Sequence, residues 1–361
     1  MRPGANTPLH HRRAFWALIA ACLALTVVVP WSVARVVRLV HGPSVLVPGD
    51  GFSAVAVTSD GRTLYAANGG PVGSNGHTVT PVDIATGKAG KPFAVGTDPQ
   101  GLAVTPDGRM LCALLSDGRI TLVNLPTGTP VASIHVTSGA YSMAVSPDST
   151  SLFIGTDNNE VVAVDIATGR RKLLIPLPTP GSGVVTPNAM TVTPDGRTLY
   201  VAENDDAVIP VNLATGNQGT PITVGNSDLT MTSALAVTPD GKTLYAAVNG
   251  DYDFGSGPNN LVAISTATGT VSKTIAYGQG PIALAVTPDG RTLCVLNGNY
   301  GDFVTDESTV TPISTADGRP GKQIRTGGLF GRAGAFGFAI TPDNRTVYVA
   351  QGDVVAIGLP R

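Results

Sequence analysis

The sequence predicts an all-β fold, a seven-bladed β-propeller of four-stranded antiparallel blades, on three observations. First, an apolar strand, a Thr-Pro-Asp-Gly turn and a second apolar strand recur seven times along the chain. Second, a further turn follows six of these phrases about 25 residues later. Third, the 361 residues include 44 Gly and 28 Pro, which is high for a helical protein and usual for a chain with many tight turns.

The repeated phrase predicts a β-hairpin. LAVTPDGKTLYAAV is one copy. Proline presets φ for the first turn position, aspartate hydrogen-bonds to its own backbone, and glycine tolerates positive φ. Alternating residues flank the turn, as a strand requires. The aspartates of the seven turns are Asp60, Asp107, Asp148, Asp195, Asp240, Asp289 and Asp343, spaced by 41 to 54 residues.

The second turns, such as Ala85-Thr86-Gly87 and Ala267-Thr268-Gly269, separate another two strands in each period. Four antiparallel strands every 40–50 residues are typical of a propeller blade. Only six second turns accompany seven first turns, because the sequence ends in the third strand of blade seven. We expect residues 43–49 (PSVLVPG) to supply its fourth strand, which would close the ring and protect its edges. The predicted propeller therefore spans residues 43–361.

Residues 1–42 predict a basic cytoplasmic tail followed by a membrane segment. Residues 14–34 contain no charge and would span about 31 Å as a helix, enough for a hydrocarbon core of about 30 Å. His10, His11, Arg12 and Arg13 precede this run, and the basic excess favours the N-terminus inside and the propeller outside the cytoplasm.

Two interpretations of this segment stay open. It is either an uncleaved signal anchor, which would make a single-pass membrane protein, or a signal peptide cleaved after Ala34, which would release a secreted protein. The length of the run favours the anchor. Residues 19–22 (IAAC) resemble a lipoprotein cleavage box, but apolar chain follows Cys22 where a polar tether would be expected.

The charge balance narrows the class of binding partner, and the cysteine positions indicate core residues. Five of the 23 basic residues lie in residues 1–42, which leaves 18 bases against 25 acids in the propeller, and this balance disfavours nucleic acid. Cys112 and Cys294 occupy the same position of two non-adjacent repeats. We expect both to be small core residues, too far apart for a disulfide.

Phrases such as TPDGRTLYVAE and PVDIATGK resemble the YVTN-type (YncE-like) propeller repeats of bacterial surface and secreted proteins. The resemblance covers residues 43–361 and implies the propeller fold. It implies no single activity, since members of this family share none. A broader similarity includes seven-bladed lactonases and amine-dehydrogenase propeller chains, from which no catalytic residue is carried over.

No catalytic set emerges from the sequence. After the membrane segment only His41, His77 and His135 remain as histidine bases, and each is interpreted as solvated or structural. The sequence has no zinc spacing, phosphate-binding loop or dinucleotide fingerprint. The aspartates of the repeated turns are interpreted as structural, because a site would occur once and the turn occurs in every blade. Asp83 and Asp165 are interpreted in the same way.

The candidate binding residues lie where the repeat is broken. The loops between second and third strands are long at residues 68–77, 249–260 and 297–308, and recognition concentrates in such loops. The last two belong to adjacent blades and combine acids with aromatic residues that either contact a partner or fold inward. The predicted partner-binding residues are Asp251, Tyr252, Asp253, Phe254, Asn299, Tyr300, Asp302, Phe303, Asp306 and Glu307.

The face that carries these loops is predicted to be acidic, with Arg119 almost the only base. Its remaining acids are Asp157, Glu160, Glu203, Asp205, Asp206 and Asp353. Such a face attracts cationic partners. Asn and Asp oxygens also suit Ca²⁺, although the loops lack the Asp-x-Asp-x-Asp-Gly pattern, so we expect no cofactor and regard a calcium site as a weak alternative. A third interpretation is a solvated surface that keeps the protein soluble.

These observations predict an extracytoplasmic, monomeric binding or scaffold module for a surface protein, a peptide or a polysaccharide. The alternative is an enzyme, such as a lactonase-like or metal-assisted hydrolase, with its site at the mouth of the central channel. An accessory subunit of a larger membrane complex is a third interpretation.

Overall fold

The structure is a computed structural model. It describes residues 51–69, 76–136, 139–178, 186–203, 207–225, 230–250, 259–277, 280–298, 307–329, 337–351 and 353–359. Within these residues the secondary structure is β throughout, with 27 strands in seven separate sheets.

Each sheet is one blade, and its strands follow chain order from first to last. Blades one to three consist of β1 (Phe52–Val57), β2 (Thr63–Asn68), β3 (Thr78–Asp83), β4 (Phe93–Ala94); β5 (Pro99–Val104), β6 (Met110–Leu115), β7 (Arg119–Asn124), β8 (Thr129–His135); and β9 (Ala140–Val145), β10 (Ser151–Thr156), β11 (Glu160–Asp165), β12 (Arg171–Pro176). Blades four and five consist of β13 (Pro187–Val192), β14 (Thr198–Glu203), β15 (Ala207–Asn212), β16 (Ile222–Thr223); and β17 (Met231–Val237), β18 (Thr243–Asn249), β19 (Asn260–Ser265), β20 (Thr270–Ala276). Blades six and seven consist of β21 (Gly280–Val286), β22 (Thr292–Gly298), β23 (Glu307–Ser314), β24 (Ile324–Leu329); and β25 (Gly337–Ile340), β26 (Thr346–Gln351), β27 (Asp353–Gly358).

The blades form a closed ring. The first strand of every blade contacts the first strand of the next, and β25 of blade seven contacts β1 of blade one. The seven first strands therefore surround the central axis, and the fourth strands lie outermost. The prediction of an all-β, seven-bladed propeller with four-stranded antiparallel blades is confirmed.

The core consists of seven apolar clusters, one between each pair of neighbouring blades. Successive residues of each second strand face opposite neighbours, because side chains alternate across a sheet. In blade one, Leu64 packs toward blade seven and Tyr65 packs toward blade two. Second strands are therefore buried on both faces, which explains their unbroken apolar runs.

The cysteines follow the same alternation. Cys112 lies in the cluster between blades two and three, and Cys294 lies in the cluster between blades six and seven. Both are free and fully buried, and burial raises the pKa of each thiol to about 12. The prediction that they are core residues without a mutual disulfide is confirmed.

Two predicted features lie outside the described residues. The membrane segment at 14–34 is one, and the closing strand at 43–49 is the other. Three strands of blade seven are described, so a fourth strand from residues 43–49 stays a prediction. In the part of the chain that the structure describes, no helix is long and apolar enough to cross a membrane.

Candidate functional site

The strand order gives the ring two different faces. The turn face carries the connections between first and second strands and between third and fourth strands. The loop face carries the connections between second and third strands and those from one blade to the next. The long loops singled out in the sequence belong to the loop face.

The turn face is built from one repeated set of hydrogen bonds. In blade five, Thr238 Oγ1 donates to Asp240 Oδ1 (2.6 Å) and accepts from the backbone N–H of Thr243 (3.0 Å). The backbone N–H of Lys242 donates to the same carboxylate oxygen (3.1 Å). The hydroxyl and this N–H lower the pKa of Asp240, because both stabilise its charged form. These aspartates are structural parts of the turn.

The same Thr or Ser to Asp hydrogen bond recurs in all seven blades. The hydroxyl is the main cause that lowers the carboxyl pKa in five of them, namely Asp60, Asp148, Asp195, Asp240 and Asp289. Asp83 and Asp165 accept similar hydrogen bonds from Thr86 and Thr168 in the second turns. The turn face therefore satisfies its own carboxylates.

The loop face begins at the mouth of the central channel, where every first strand of blades one to six carries a β-bulge. A bulge leaves one residue unpaired and redirects its side chain, and bulges are frequent at rims and near binding sites. The bulged residues are Ser53, Gln100, Tyr141, Asn188, Ser233 and Ile282. Most of these side chains are neutral hydrogen-bonding groups, and Tyr141 is 54% exposed.

Hydroxyl groups at this rim join the blades in pairs. Ser142 of blade three donates to the carbonyl of Pro187 in blade four (2.7 Å), and Ser233 of blade five donates to the carbonyl of Pro281 in blade six (2.7 Å). Ser53 makes the equivalent bond to Pro99. Serine in blades one, three and five therefore hydrogen-bonds to proline in blades two, four and six. These bonds link the blades in pairs at the rim of the channel.

A buried polar network lies between blades five and six, at the bases of the loops 249–260 and 297–308. Asn249 Nδ2 donates to the Pro281 carbonyl (3.0 Å), and Asn297 Nδ2 donates to Thr309 Oγ1 (3.1 Å) and Thr311 Oγ1 (3.2 Å). Pro281 pairs with Asn297 in the sheet. The strands that flank the two loops are therefore next to each other.

Several oxygens of the loop face are buried without a hydrogen-bond partner. Within the described residues they include Asn249 Oδ1, Thr232 Oγ1, Ser308 Oγ and Asp157 Oδ1. Burial also raises the pKa of Tyr277 beside this network, and the neighbouring Thr311 and Asn297 partly oppose the rise. A buried acceptor without a partner costs free energy, so these groups suit a ligand or water better than an inert surface.

The described charges of the loop face are mainly acidic. Arg119 is the one Lys or Arg that the described residues place there, and its guanidinium pairs with Asp117 at 2.6 Å. This pairing lowers the pKa of Asp117 and raises that of Arg119. Asp98, Asp157, Glu160 and Asp353 lie on the same face.

The predicted partner-binding residues lie almost entirely outside the described residues. They comprise Asp251, Tyr252, Asp253, Phe254, Asn299, Tyr300, Asp302, Phe303 and Asp306; Glu307 begins β23, and its side chain is not described. His77 and His135 are exposed, and His135 ends an outermost strand. In the described ranges, no three His, Cys, Asp or Glu side chains cluster as metal ligands.

Sequence reasoning missed the bulged rim and Tyr141. The signal was faint: AYSMAV in blade three carries Tyr141 at the position where FSAVAV in blade one carries Ser53. A bulge depends on pairing with the next strand, so periodicity within one strand does not reveal it.

The fold and this face define a class: a seven-bladed propeller with a regular turn face and an irregular, polar loop face. The family profile PQQ_2, described as "Outer membrane protein assembly factor BamB", matches residues 116–357, about two thirds of the chain. The chain therefore belongs to this family.

Solved structures support the fold. A chain of hydrazine synthase from Kuenenia stuttgartiensis is similar with a TM-score of 0.68 and 20% sequence identity, over 87% of this chain and 97% of that chain. At this identity the likeness shows the fold alone. No curated protein matches the sequence.

Proposed function

We propose that this protein is a binding or scaffold module that recognises a surface protein, a peptide or a polysaccharide through its loop face. It would act outside the cytoplasm, held by a membrane anchor at residues 14–34 or secreted after cleavage behind Ala34. Within the family it would represent the YVTN-type, YncE-like kind of repeat, as its TPDGRTLYVAE phrases suggest.

This proposal rests on a difference between the two faces in how their polar side chains are hydrogen-bonded. The aspartates of the turn face accept hydrogen bonds from their own turns, whereas Asn249 and Asp157 on the loop face have buried oxygens without a partner among the described residues. Polar groups that cost stability are characteristic of binding surfaces.

The contact surface would extend from this buried network onto the two loops above it. Asn249 and Asn297 are the last described anchors before the predicted contact residues Tyr252 and Tyr300. Hydrogen bonds at the flanking strand ends would limit the entropy lost when a partner binds. The acids of the two loops would attract a partner of opposite charge.

The test is capture of the partner by cross-linking on intact cells. Replacing Tyr252 and Tyr300 together with alanine should abolish capture while the melting temperature stays unchanged. The matched control replaces both residues with phenylalanine, which keeps the aromatic surface and should retain capture. Undiminished capture by the alanine variant would contradict the assignment of these residues.

The second candidate function is an enzyme with its site at the channel mouth, of the lactonase-like or metal-assisted hydrolase type. The six bulged rim residues favour it, because bulges are frequent next to active sites and these place Gln100 and Asn188 at the rim of the channel. A Ca²⁺-dependent rise of several degrees in melting temperature that disappears in Asp251→Asn and Asp302→Asn would support it. An unchanged melting temperature with Ca²⁺ would count against the metal-assisted form.

A further inference from the structure

A notch lies at the channel rim of blade three, between the ring of Tyr141 and the carboxylate of Asp157. Its floor is Gly139. A Cβ atom on this glycine would lie 3.3 Å from Asp157 Oδ2 and 3.7 Å from Tyr141 Cε2. The aromatic edge and the carboxylate oxygen therefore flank one point beside Gly139, and a side chain at this position would crowd both groups.

The floor of the notch is fixed by a close backbone contact. Gly118, in the turn between β6 and β7, has a φ of +77°, and a Cβ there would lie 3.2 Å from the Cα of Gly139. The backbone N–H of Asp157 donates to the carbonyl of Gly139 (3.0 Å). The two contacts hold blade two, Gly139 and Asp157 together, so the notch is built into the scaffold.

The charge of the notch is not neutralised by its surroundings. Arg119, the one Lys or Arg that the described residues place on the loop face, is engaged by Asp117 at 2.6 Å. Within the described residues Asp157 forms no ion pair. Its Oδ1 is buried without a hydrogen-bond partner among them, and its Oδ2 is the oxygen that lies at the notch. A half-buried carboxylate in this state favours a cation beside it.

The aromatic side of the notch narrows the chemistry further. Tyr141 is 54% exposed, although it belongs to an inner strand, because the β-bulge turns it out of the sheet. A planar guanidinium stacks on an aromatic ring and hydrogen-bonds to a carboxylate at once, which an ammonium does less well. A neutral sugar would use the ring and leave the carboxylate charge uncompensated.

We infer that this notch, formed by Gly139, Tyr141 and Asp157, binds the guanidinium of an arginine side chain presented by a peptide segment of the partner. The inference rests on the proposed function of the loop face as a binding surface, and it names the chemistry of one contact. It places that contact at blade three, away from the predicted loops of blades five and six.

The test uses the full chain in detergent and a defined probe, the peptide acetyl-Gly-Arg-Gly-amide, observed by saturation-transfer NMR. Its uncharged isostere, with citrulline in place of arginine, is the ligand control. We expect the arginine peptide to bind and the citrulline peptide to bind at least about tenfold more weakly, as expected for loss of a charge-assisted contact. A lysine peptide should be intermediate.

Three variants probe the notch itself. Gly139→Ala fills it without changing charge, Asp157→Asn removes the charge, and Tyr141→Ala removes the ring; each should weaken the arginine peptide by about tenfold. Tyr141→Phe should bind as the natural protein does. Asp353→Asn changes the same charge on the same face at blade seven and should also leave binding unchanged.

Several results would overturn the inference. Undiminished binding by Gly139→Ala, or an equal loss in Asp353→Asn, would show general attraction to an acidic face. Binding of a neutral oligosaccharide that survives Asp157→Asn would assign the notch to a sugar. If cross-linking on cells captures a partner but the arginine peptide does not bind, the notch is refuted and the proposed function stands.

Discussion

The two faces of the ring are formed by the ends of the same strands, but they differ in the hydrogen bonding of their polar side chains. On the turn face, Thr238 and Asp240 exemplify a hydrogen-bonded set that recurs in every blade. On the loop face, Thr232 and Asn249 have buried oxygens without a partner among the described residues. The difference indicates that the hydrogen bonds of the turn face repeat in every blade, whereas the loop face repeats its bulges and serine bonds but not all of its polar contacts.

The largest loss of stability should come from a substitution where blade seven packs on blade one, at the loop-face end of their first strands. Gly337 opens the first strand of blade seven, and a Cβ there would lie 2.6 Å from the Cα of Ala54 in blade one. Gly337→Ala should therefore lower the free energy of unfolding by more than about 4 kcal/mol, since two backbones must separate. Chemical denaturation measures this.

The control for this variant lies on the turn face. A Cβ on Gly108 would meet nothing within 4 Å, and only its φ of +70° disfavours a side chain. Gly108→Ala should cost about 1–2 kcal/mol. Equal losses for the two variants would show that backbone conformation, and not closeness of the blades, governs the effect at Gly337.

A pair of threonines compares the faces directly. Thr238 on the turn face donates one hydrogen bond and accepts another, so Thr238→Val should destabilise the protein by about 1–3 kcal/mol. Thr232 on the loop face is fully buried and its Oγ1 has no partner in the part of the chain that the structure describes, so Thr232→Val should raise stability by about 1 kcal/mol. Thermal denaturation of both variants gives the two signs. Destabilisation by Thr232→Val would indicate that its hydroxyl is satisfied and would remove one of the observations that distinguish the loop face.

The smallest change in stability per residue should come from protonation of the turn-face carboxyls at low pH. The hydroxyl and N–H donors of the turn face lower the pKa of Asp240 below its ordinary value of 3.8. A carboxyl whose pKa is lower in the folded state stabilises the fold above its unfolded pKa, and this contribution is lost as pH falls through the folded pKa. Melting temperature should therefore decline below about pH 4.

The variant Asp240→Asn measures the contribution of one turn-face carboxyl to this pH dependence. It should lower the melting temperature at pH 7 and reduce the dependence of melting temperature on pH below about 4, because one carboxyl no longer titrates. Asp353→Asn on the loop face is the control, with the same change of charge and no turn hydrogen bond to lose. An unchanged acid profile in Asp240→Asn would assign acid sensitivity to other carboxyls.

Much of the fold followed from sequence because each blade is encoded locally. The Pro-Asp-Gly turns predicted the hairpins, and the spacing of Asp60 to Asp343 predicted seven blades. The buried cysteines also followed, since Cys112 and Cys294 replace the tyrosines of other repeats. The notch at Gly139 and Tyr141 could not be predicted from the sequence, because both residues lie in short segments without a distinctive motif.

The sequence alone determined the strands, the turns, the number of blades and which connections share a face, because those properties arise from neighbours in the chain. Only the tertiary structure decided that six inner strands bulge at the channel mouth and that Ser142 and Ser233 join blades in pairs. It also decided that Gly139 leaves a notch between Tyr141 and Asp157. The bulges depend on the pairing of neighbouring strands within a blade. The serine bonds depend on the packing of one blade on the next, and the periodicity of a single strand encodes neither.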